Sequence, residues 1–458
     1  SNTVIKNTIF DGNISQGPNT VGGGVYNVGG TSTIENCLFT YNSGGAICAD
    51  GNVLNLKNTT ITKNSAGILD RPSGMYIIGC SPFISNSIIY DNQGLNIGNI
   101  AANPTFAYSD VQGSGAPGNW NPAFGINYGA NIDSDPLFTS DFKLTTCSPA
   151  LNTGTGAFGL NPTDLAGNIR SNSSSVDMGA YEFHGIEASA YGPVIYVDAY
   201  ATGTKTGLSW ADAFTDLQNA VDISKCAPVS QIWVSKGTYY PTKDVLGRFV
   251  NDATATFQMR NNLTIMGGFS VADGVTTLAG RNWKNFRTAL SGDLTQIGGL
   301  VKAYNVINNY NNGVNNTAVF DGLTIEKAFN NANALGGGVI NANTSPSFLN
   351  CTFFDNYAAG HFTARGGAMH NQQNASPIIT NCAFLYNGAN GIDNALGAAI
   401  SNDNSSPIIS RSIFIGNIVS APNAAGGGIY SNGGNPVLVN NSLFKTNNGA
   451  AICADGNN

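Results

Sequence analysis

Five stretches of the chain share one pattern of apolar and polar positions: SPSFLNCTFFDN from Ser345, SPIITNCAFLYN from Ser376, SPIISRSIFIGN from Ser406, NPVLVNNSLFKTN from Asn435 and SPFISNSIIYDN from Ser81. Each holds two apolar runs too short for a helix, joined by a polar corner that is usually Asn, a residue that tolerates the left-handed backbone of a tight corner. The first four start 31, 30 and 29 residues apart, and a glycine cluster such as GGGV at Gly336, GGAM at Gly366 or GGGI at Gly426 usually follows the second run. Short β-branched and aromatic runs at a period near 30 predict an all-β coil of parallel strands. In such a coil each turn pairs with the next, and like residues stack at about 4.8 Å. Two columns follow from that stacking. Phe10, Phe39, Phe353, Phe384, Phe414 and Phe444 are expected to pile up inside, and Asn13, Asn42, Asn356, Asn387, Asn417 and Asn447, each three residues later, to form a ladder of amides at the turn. The crossover rule makes the coil right-handed. A propeller blade needs four strands in roughly 40 to 50 residues, more than one period supplies. The expected fold is therefore a right-handed parallel β-helix.

A longer period contains the short one. NTIFDGNISQGPNTVGGGVYN at Asn7 lies over RSIFIGNIVSAPNAAGGGIYS at Arg411 with an offset of 404. After one inserted residue, NCLFTYNSGGAICADGN at Asn36 lies over NSLFKTNNGAAICADGN at Asn441 with 12 of 17 positions identical. Tandem modules of about 404 residues are the expectation. The segment Ser209 to Ser224 carries Trp210, Phe214, Leu217 and Val221 at i, i+4, i+7 and i+11, one apolar helical face, which predicts a helix that lids the first turn of a module. The chain then divides into 1–183, the C-terminal part of one module; 184–192, a linker; 193–300, the cap and first turns of the next; and 301–458, its body. With no initiating Met and no signal peptide, the chain reads as an internal piece of something longer.

The pairing of FxxN with GGA[I/L/V] resembles the repeats of polymorphic outer-membrane proteins. DPLFTSDFKLTTCSPALNTG (Asp135 to Gly154) and DLAGNIRSNSSSVDMGAYEF (Asp164 to Phe183) resemble the module end of bacterial surface β-helix proteins of the choice-of-anchor type, and IYVDAYATGTKTGLSWADAFTDLQNAV (Ile195 to Val221), QIWVSKGTYYPT and LTIMGGFS resemble its start. The resemblance implies a pectate-lyase-like solenoid in a giant protein at the bacterial surface or outside the cell, many of whose relatives leave by the type IX pathway. It implies a structural stalk or filament used in adhesion or cell contact, with neighbouring modules of the same chain as partners. A homo-oligomeric bundle and contact with cell-surface glycans or other cells are compatible with it. Two rivals stay open: a glycan-binding adhesin, and a polysaccharide lyase or glycoside hydrolase.

Composition narrows the chemistry. Charged residues are 10% of the chain, against roughly 25% in an average globular protein, while Gly supplies 57 of 458 residues. The surface must be built from Asn, Ser, Thr and Gly. A net charge of −7 without a basic run argues against nucleic acid as partner, and no apolar stretch reaches membrane-spanning length. Of eight cysteines, three occupy one repeated slot (NCLF, NCTF, NCAF) that elsewhere holds Thr59, Ser87, Ser412 or Ser442. Small buried side chains explain that slot better than disulfides. A glycosidase needs converging carboxylates, whereas Asp11, Asp50, Asp91, Asp355, Asp393, Asp403 and Asp455 are spread one per loop. No catalytic residue and no cofactor are expected. Asp164, Arg170, Asp177 and Glu182 form the densest charged group and read as an ion-pair clamp, with calcium held by Asp164, Asp177 and Glu182 as the alternative. His361 and His370 are read as solvated rather than metal-binding, and Asp50-Gly-Asn as a turn rather than a calcium loop. Tyr239, Tyr240, Trp120, Tyr128, Tyr304 and Tyr310 lie in polar segments where they could stack on sugar rings.

Overall fold

The computed structural model describes residues 2–17, 21–51, 53–67, 71–170, 175–299, 301–434 and 437–455. Asn435 of the fourth repeated line and Asn52 of the ADGN turn lie outside them. The chain is 39% strand and 4% helix and forms two compact units, Ser1–Glu187 and Ala188–Asn458, the division falling inside the 184–192 stretch.

In the first unit the chain visits three parallel sheets in rotation. The first sheet holds Thr3–Lys6, Thr31–Glu35, Val53–Lys57, Phe83–Ser85, Thr105–Ala107 and Ile126–Gly129. The second holds Ile9–Asp11, Leu38–Thr40, Thr60–Thr62, Ile88–Tyr90 and Asp110–Val111, and the third Val25–Val28, Ile47–Asp50, Met75–Ile78 and Ile97–Ile100. One circuit of the three sheets is a rung. Register is column on column: Phe10 pairs with Phe39, and Ile34 with Leu56. The corner between first and second sheets is a left-handed residue each time, with Asn7, Asn36, Asn58 and Asn86 at φ of 44° to 53°. Asn tolerates that region with a small penalty, which is why the corner is polar and why it recurs. The inward positions Ile34, Leu56, Ile84 and Phe106 of the first sheet and Phe39, Ile61, Ile89 and Val111 of the second are buried to 1% or less. They make one continuous core.

The second unit repeats the scheme with eight, seven and six strands in the three sheets. Phe353, Phe384, Phe414 and Phe444 stack face to face at 4.5, 4.7 and 4.5 Å between ring centres. Two further parallel sheets stand beside the third: Phe329–Asn330, Tyr357–Gly360, Gly388–Gly391 and Ile418–Ser420 in one, and Thr363–Arg365, Asn394–Leu396 and Asn423–Ala425 in the other. Together they form a fin whose core is almost wholly alanine: Ala334, Ala358, Ala364, Ala389, Ala395 and Ala398, with Val419. Larger side chains would push its two thin sheets apart. The fin adds to the length of the rungs that carry it. Phe353 to Phe384 takes 31 residues with it, and Phe39 to Ile61 takes 22, the chain turning directly from Asn42 into the strand at Ile47.

Two expectations change. Most rungs carry a third core strand, beyond the two read from the repeated line. The helix is shorter than Ser209 to Ser224 and spans Leu217–Ser224, with the Asp216 carboxylate accepting from the Gln218 amide at 2.8 Å. Leu217 and Val221 are buried in it, and it packs on Val194–Val197 and Gln231–Ser235. Phe214 instead bridges to Val197, and Trp210 sits in a loop folded around Asp212, whose Oδ1 accepts from the amide and hydroxyl of Thr204 at 2.9 and 2.7 Å. There Trp210 rests against Tyr196 and Phe269 at 4.9 and 5.4 Å. An apolar periodicity matching a helix is thus shared between a helix and an aromatic loop.

Candidate functional site

The interior chemistry is a set of amide ladders. In the second unit Asn356 donates Nδ2 to Asn387 Oδ1 at 3.1 Å, Asn387 to Asn417 at 3.0 Å, and Asn417 to Asn447 at 2.8 Å. Each Oδ1 also accepts the backbone amide of the Asn one rung back, as Asn387 does from Asn356 at 3.1 Å. The second hydrogen of each Nδ2 reaches a strand carbonyl, for Asn387 that of Phe353 at 3.0 Å. Every hydrogen-bonding position of the side chain is thereby used. The first unit runs the same ladder through Asn13, Asn42, Asn64, Asn92 and Asn96. Asn64 and Asn92 escape a search keyed to Phe because their rungs carry Ile61 and Ile89 at that position.

A second buried ladder, unseen in the sequence pattern, crosses the third sheet of the second unit: Asn309 to Asn341 to Asn371 to Asn402 to Ser431, at 3.0, 2.9, 2.8 and 3.0 Å. Its signal is the Asn five residues after each of Gly336, Gly366 and Gly397. The Cys/Ser/Thr slot is also polar in function. Cys351, Cys382, Ser412 and Thr59 each donate back to the carbonyl two residues earlier, at 3.2, 3.4, 2.9 and 2.8 Å. Cys37, Cys48, Cys80, Cys351 and Cys382 are free and buried, and Cys453 is free and partly exposed.

The charged group at 164–182 is drawn together around Arg170, whose Nη1 donates to Glu182 at 2.9 Å while Nη2 donates to Asn36 Oδ1 and the carbonyls of Gly179 and Ala180 at 3.1, 2.9 and 2.9 Å. Asp164 accepts from the amides of Asn168 and Glu182, and Asp177 from those of Asn152 and Phe183. Burial raises the Asp177 and Glu182 carboxyls above their ordinary range, and nearby Asp177 pushes Glu182 the same way. With their oxygens turned to backbone amides, these acids strap residues 152–170 and 175–183 across the corners of the rungs. Asn86 exchanges two bonds with Thr155, and the Ala180 amide donates to Thr60 at 2.9 Å. Among the described residues no three His, Cys, Asp or Glu side chains are grouped to hold a metal ion.

The remaining residues singled out from the sequence are dispersed. His370 is not solvated: it is fully buried, and burial, with Arg365 beside it, pushes its imidazole down to about 4, so it is neutral. His361 is exposed against Phe362. Tyr239 is buried and donates to Ser235 O at 3.0 Å, and Trp120 packs on Phe106 and Phe124. Tyr240 packs against Ala255, Leu294 and Ala303, and Tyr304 lines a small cavity of about 290 Å³ with Asp244 and Arg248. Tyr128 and Tyr310 are exposed.

One concave feature collects free polar groups. Between the outer fin sheet and the third core sheet of the second unit runs a groove of about 440 Å³ lined by Thr363, Arg365, Asn394, Leu396, Asn423, Ala424, Ala425, Tyr430, Cys453 and Asp455. Thr363, Asn394 and Asn423 stand in register on successive rungs, as do Arg365, Leu396 and Ala425. Arg365 Nη1 donates to both oxygens of Asp403, at 2.6 and 2.7 Å, and Tyr430 donates to Asp455 Oδ2 at 3.1 Å. Asp403 and Asp455, spread one per loop in the sequence, share a column two rungs apart.

Comparison with protein-family models and with curated proteins finds no match to this chain.

Proposed function

We propose that the chain is a right-handed parallel β-helix serving as a structural stalk or filament segment of a giant bacterial surface or extracellular protein. The observation that carries this reading is the amide ladder. The buried polar side chains bond rung to rung, which resists shear and unpairing along the stack, and the acids gathered at 164–182 spend their oxygens on backbone amides and on Arg170. Recurrence of the first fifty residues one period later supports tandem modules, because a repeated mechanical element lengthens a fibre whereas a repeated active site gains little. Cell contact and export outside the cell belong to the same proposal.

The first core sheet has eight strands in the second unit and six in the first, two of which are the same rungs one period apart. The resulting twelve rungs make a module coil of about 58 Å at the usual spacing. With a cap and linker added, electron micrographs of the native protein should show rods with a longitudinal repeat on the order of 60 to 80 Å. Flexibly strung beads with no preferred angle would refute the stalk.

A further inference from the structure

His370 stands on the outer face of the third core sheet, where water nevertheless does not reach it. Its neighbours Met369 and Asn371 belong to the core and to the second amide ladder, so the imidazole faces the root of the fin, in a column with Ile340 before it and Ser401 and Tyr430 after it. Complete rungs flank it on both sides, and its side chain is 0% exposed. The Gly336 turn closes over it so tightly that a Cβ at Gly336 would lie 3.2 Å from the His370 Cβ. Among the described residues Nδ1 has no hydrogen-bond partner, and Ser401 Oγ, one rung on, is likewise buried without one. Nε2 lies 3.4 Å from Gln372 Oε1 and 3.9 Å from Asp403 Oδ2.

These surroundings hold the ring neutral. Both oxygens of Asp403 are already committed to Arg365 Nη1, which puts a guanidinium from the outer fin sheet beside the imidazole. Further along the column Tyr430 is bonded to Asp455. The preceding strand, Val339–Ala342, brings no titratable group, and Gln372 on its own strand is uncharged. A proton added to the closed structure would make a second buried cation next to Arg365, sharing one carboxylate with it. Exposed to solvent, the same ring charges readily. We propose that His370 is an acid-released latch: neutral, it lets the outer fin sheet close on the third core sheet, and proton uptake, which requires the fin to lift, shifts that sheet to the open state. The core rungs are tied by Asn amides, which do not titrate, so acid acts on the fin and leaves the coil closed. The inference is independent of the stalk reading.

Burial, then Arg365, depress the imidazole from 6.5 to about 4, so closure is fully favoured above pH 6.5 and loses ground as the pH falls towards 4. Burial raises the Asp403 carboxyl, which works the opposite way in acid, and the histidine's share is therefore read against a variant that cannot titrate. Hydrogen exchange of the full chain is followed at pH 7 and pH 5, corrected for the intrinsic pH dependence of exchange, in fin residues 357–365 and 388–396 and in core strands 352–354 and 383–385. Between the two pH values fin opening should rise about twentyfold more in the wild type than in His370→Gln, with the core strands unchanged. His370→Met serves as the second variant where the first does not fold. In the wild type, carbon chemical shifts of the imidazole, one of three in the chain, should report a neutral ring in the closed protein at pH 5. The proposal is overturned if fin opening grows no more with acid in the wild type than in the variants, if the core strands loosen in step with the fin, or if His370 is charged at pH 5 while the fin stays closed.

Discussion

Asn387→Ala should be among the most damaging single truncations of a polar side chain in this protein. The residue is fully buried and makes four hydrogen bonds: Oδ1 accepts from the amide and the Nδ2 of Asn356, both at 3.1 Å, and Nδ2 donates to Asn417 Oδ1 and Phe353 O, both at 3.0 Å. Truncation leaves the Asn356 backbone amide and one Asn356 side-chain hydrogen facing a dry space. At about 1 to 3 kcal/mol for each buried group left unpaired, the cost is roughly 2 to 6 kcal/mol, with the low end reached if water fills the vacated space. Asn447→Ala removes three such bonds from a partly exposed rung, where water replaces the lost bonds, and should cost about 1 kcal/mol or less. The pair is compared by urea unfolding followed by circular dichroism. Because stacked repeats can unfold in parts, hydrogen exchange of the amides between residues 352 and 388 supplies the local measure. Equal unfolding curves for the two variants, with unchanged protection around Asn387, would refute the claim that the ladder holds the rungs.

Cys382→Ser should cost little, because Ser412 already makes the same backward bond one rung later, whereas Cys382→Lys buries an unpaired charge and should cost several kcal/mol in thermal or urea unfolding; similar stabilities would place the slot at the surface. Burial, with the charges of Asp133 and Asp135 nearby, pushes the Asp110 carboxyl up to about 8. The folded state therefore holds a proton that the unfolded state releases near 4, and the stability this group contributes is complete below pH 4 and lost as the pH rises towards 8. Asp110→Asn should accordingly gain on the wild type across that window, by up to about 1.4 kcal/mol per pH unit; a difference that does not vary with pH would overturn the assignment. Incubation with neutral and uronic-acid polysaccharides, with and without calcium, should release no reducing or unsaturated ends above a heat-killed control.

What could be read from the sequence was whatever repeats with a side chain large enough to notice. Phe353, Phe384 and Phe414 recur at fixed spacing because each must fill the same gap in the core, so the two strands flanking each corner stood out. The third core strand did not, since it follows glycine clusters whose next residues vary from Val339 to Met369 to Ile400. The fin was hidden for a physical reason: its core is alanine, and alternation of Ala with Gly, Asn and Thr carries almost no hydrophobic contrast. Groove residues such as Thr363, Asn394 and Asn423 lie about 30 residues apart and gain meaning only when stacking places them side by side. The helix was overextended because Trp210 and Phe214 keep a helical interval while serving a loop held by Asp212.

The short rungs carry a practical lesson for protein engineering. Between Asn42 and Ile47 the chain turns the corner in a handful of residues, while between Asn387 and Ile400 the same corner is interrupted by an entire excursion, and the buried Asn and the incoming strand keep their places in both cases. That corner is therefore a natural splice point. Foreign loops grafted between Asn447 and Ile452 would be displayed at a defined height along the stack, their position addressed by rung number, with the hydrogen-bonded interior left untouched.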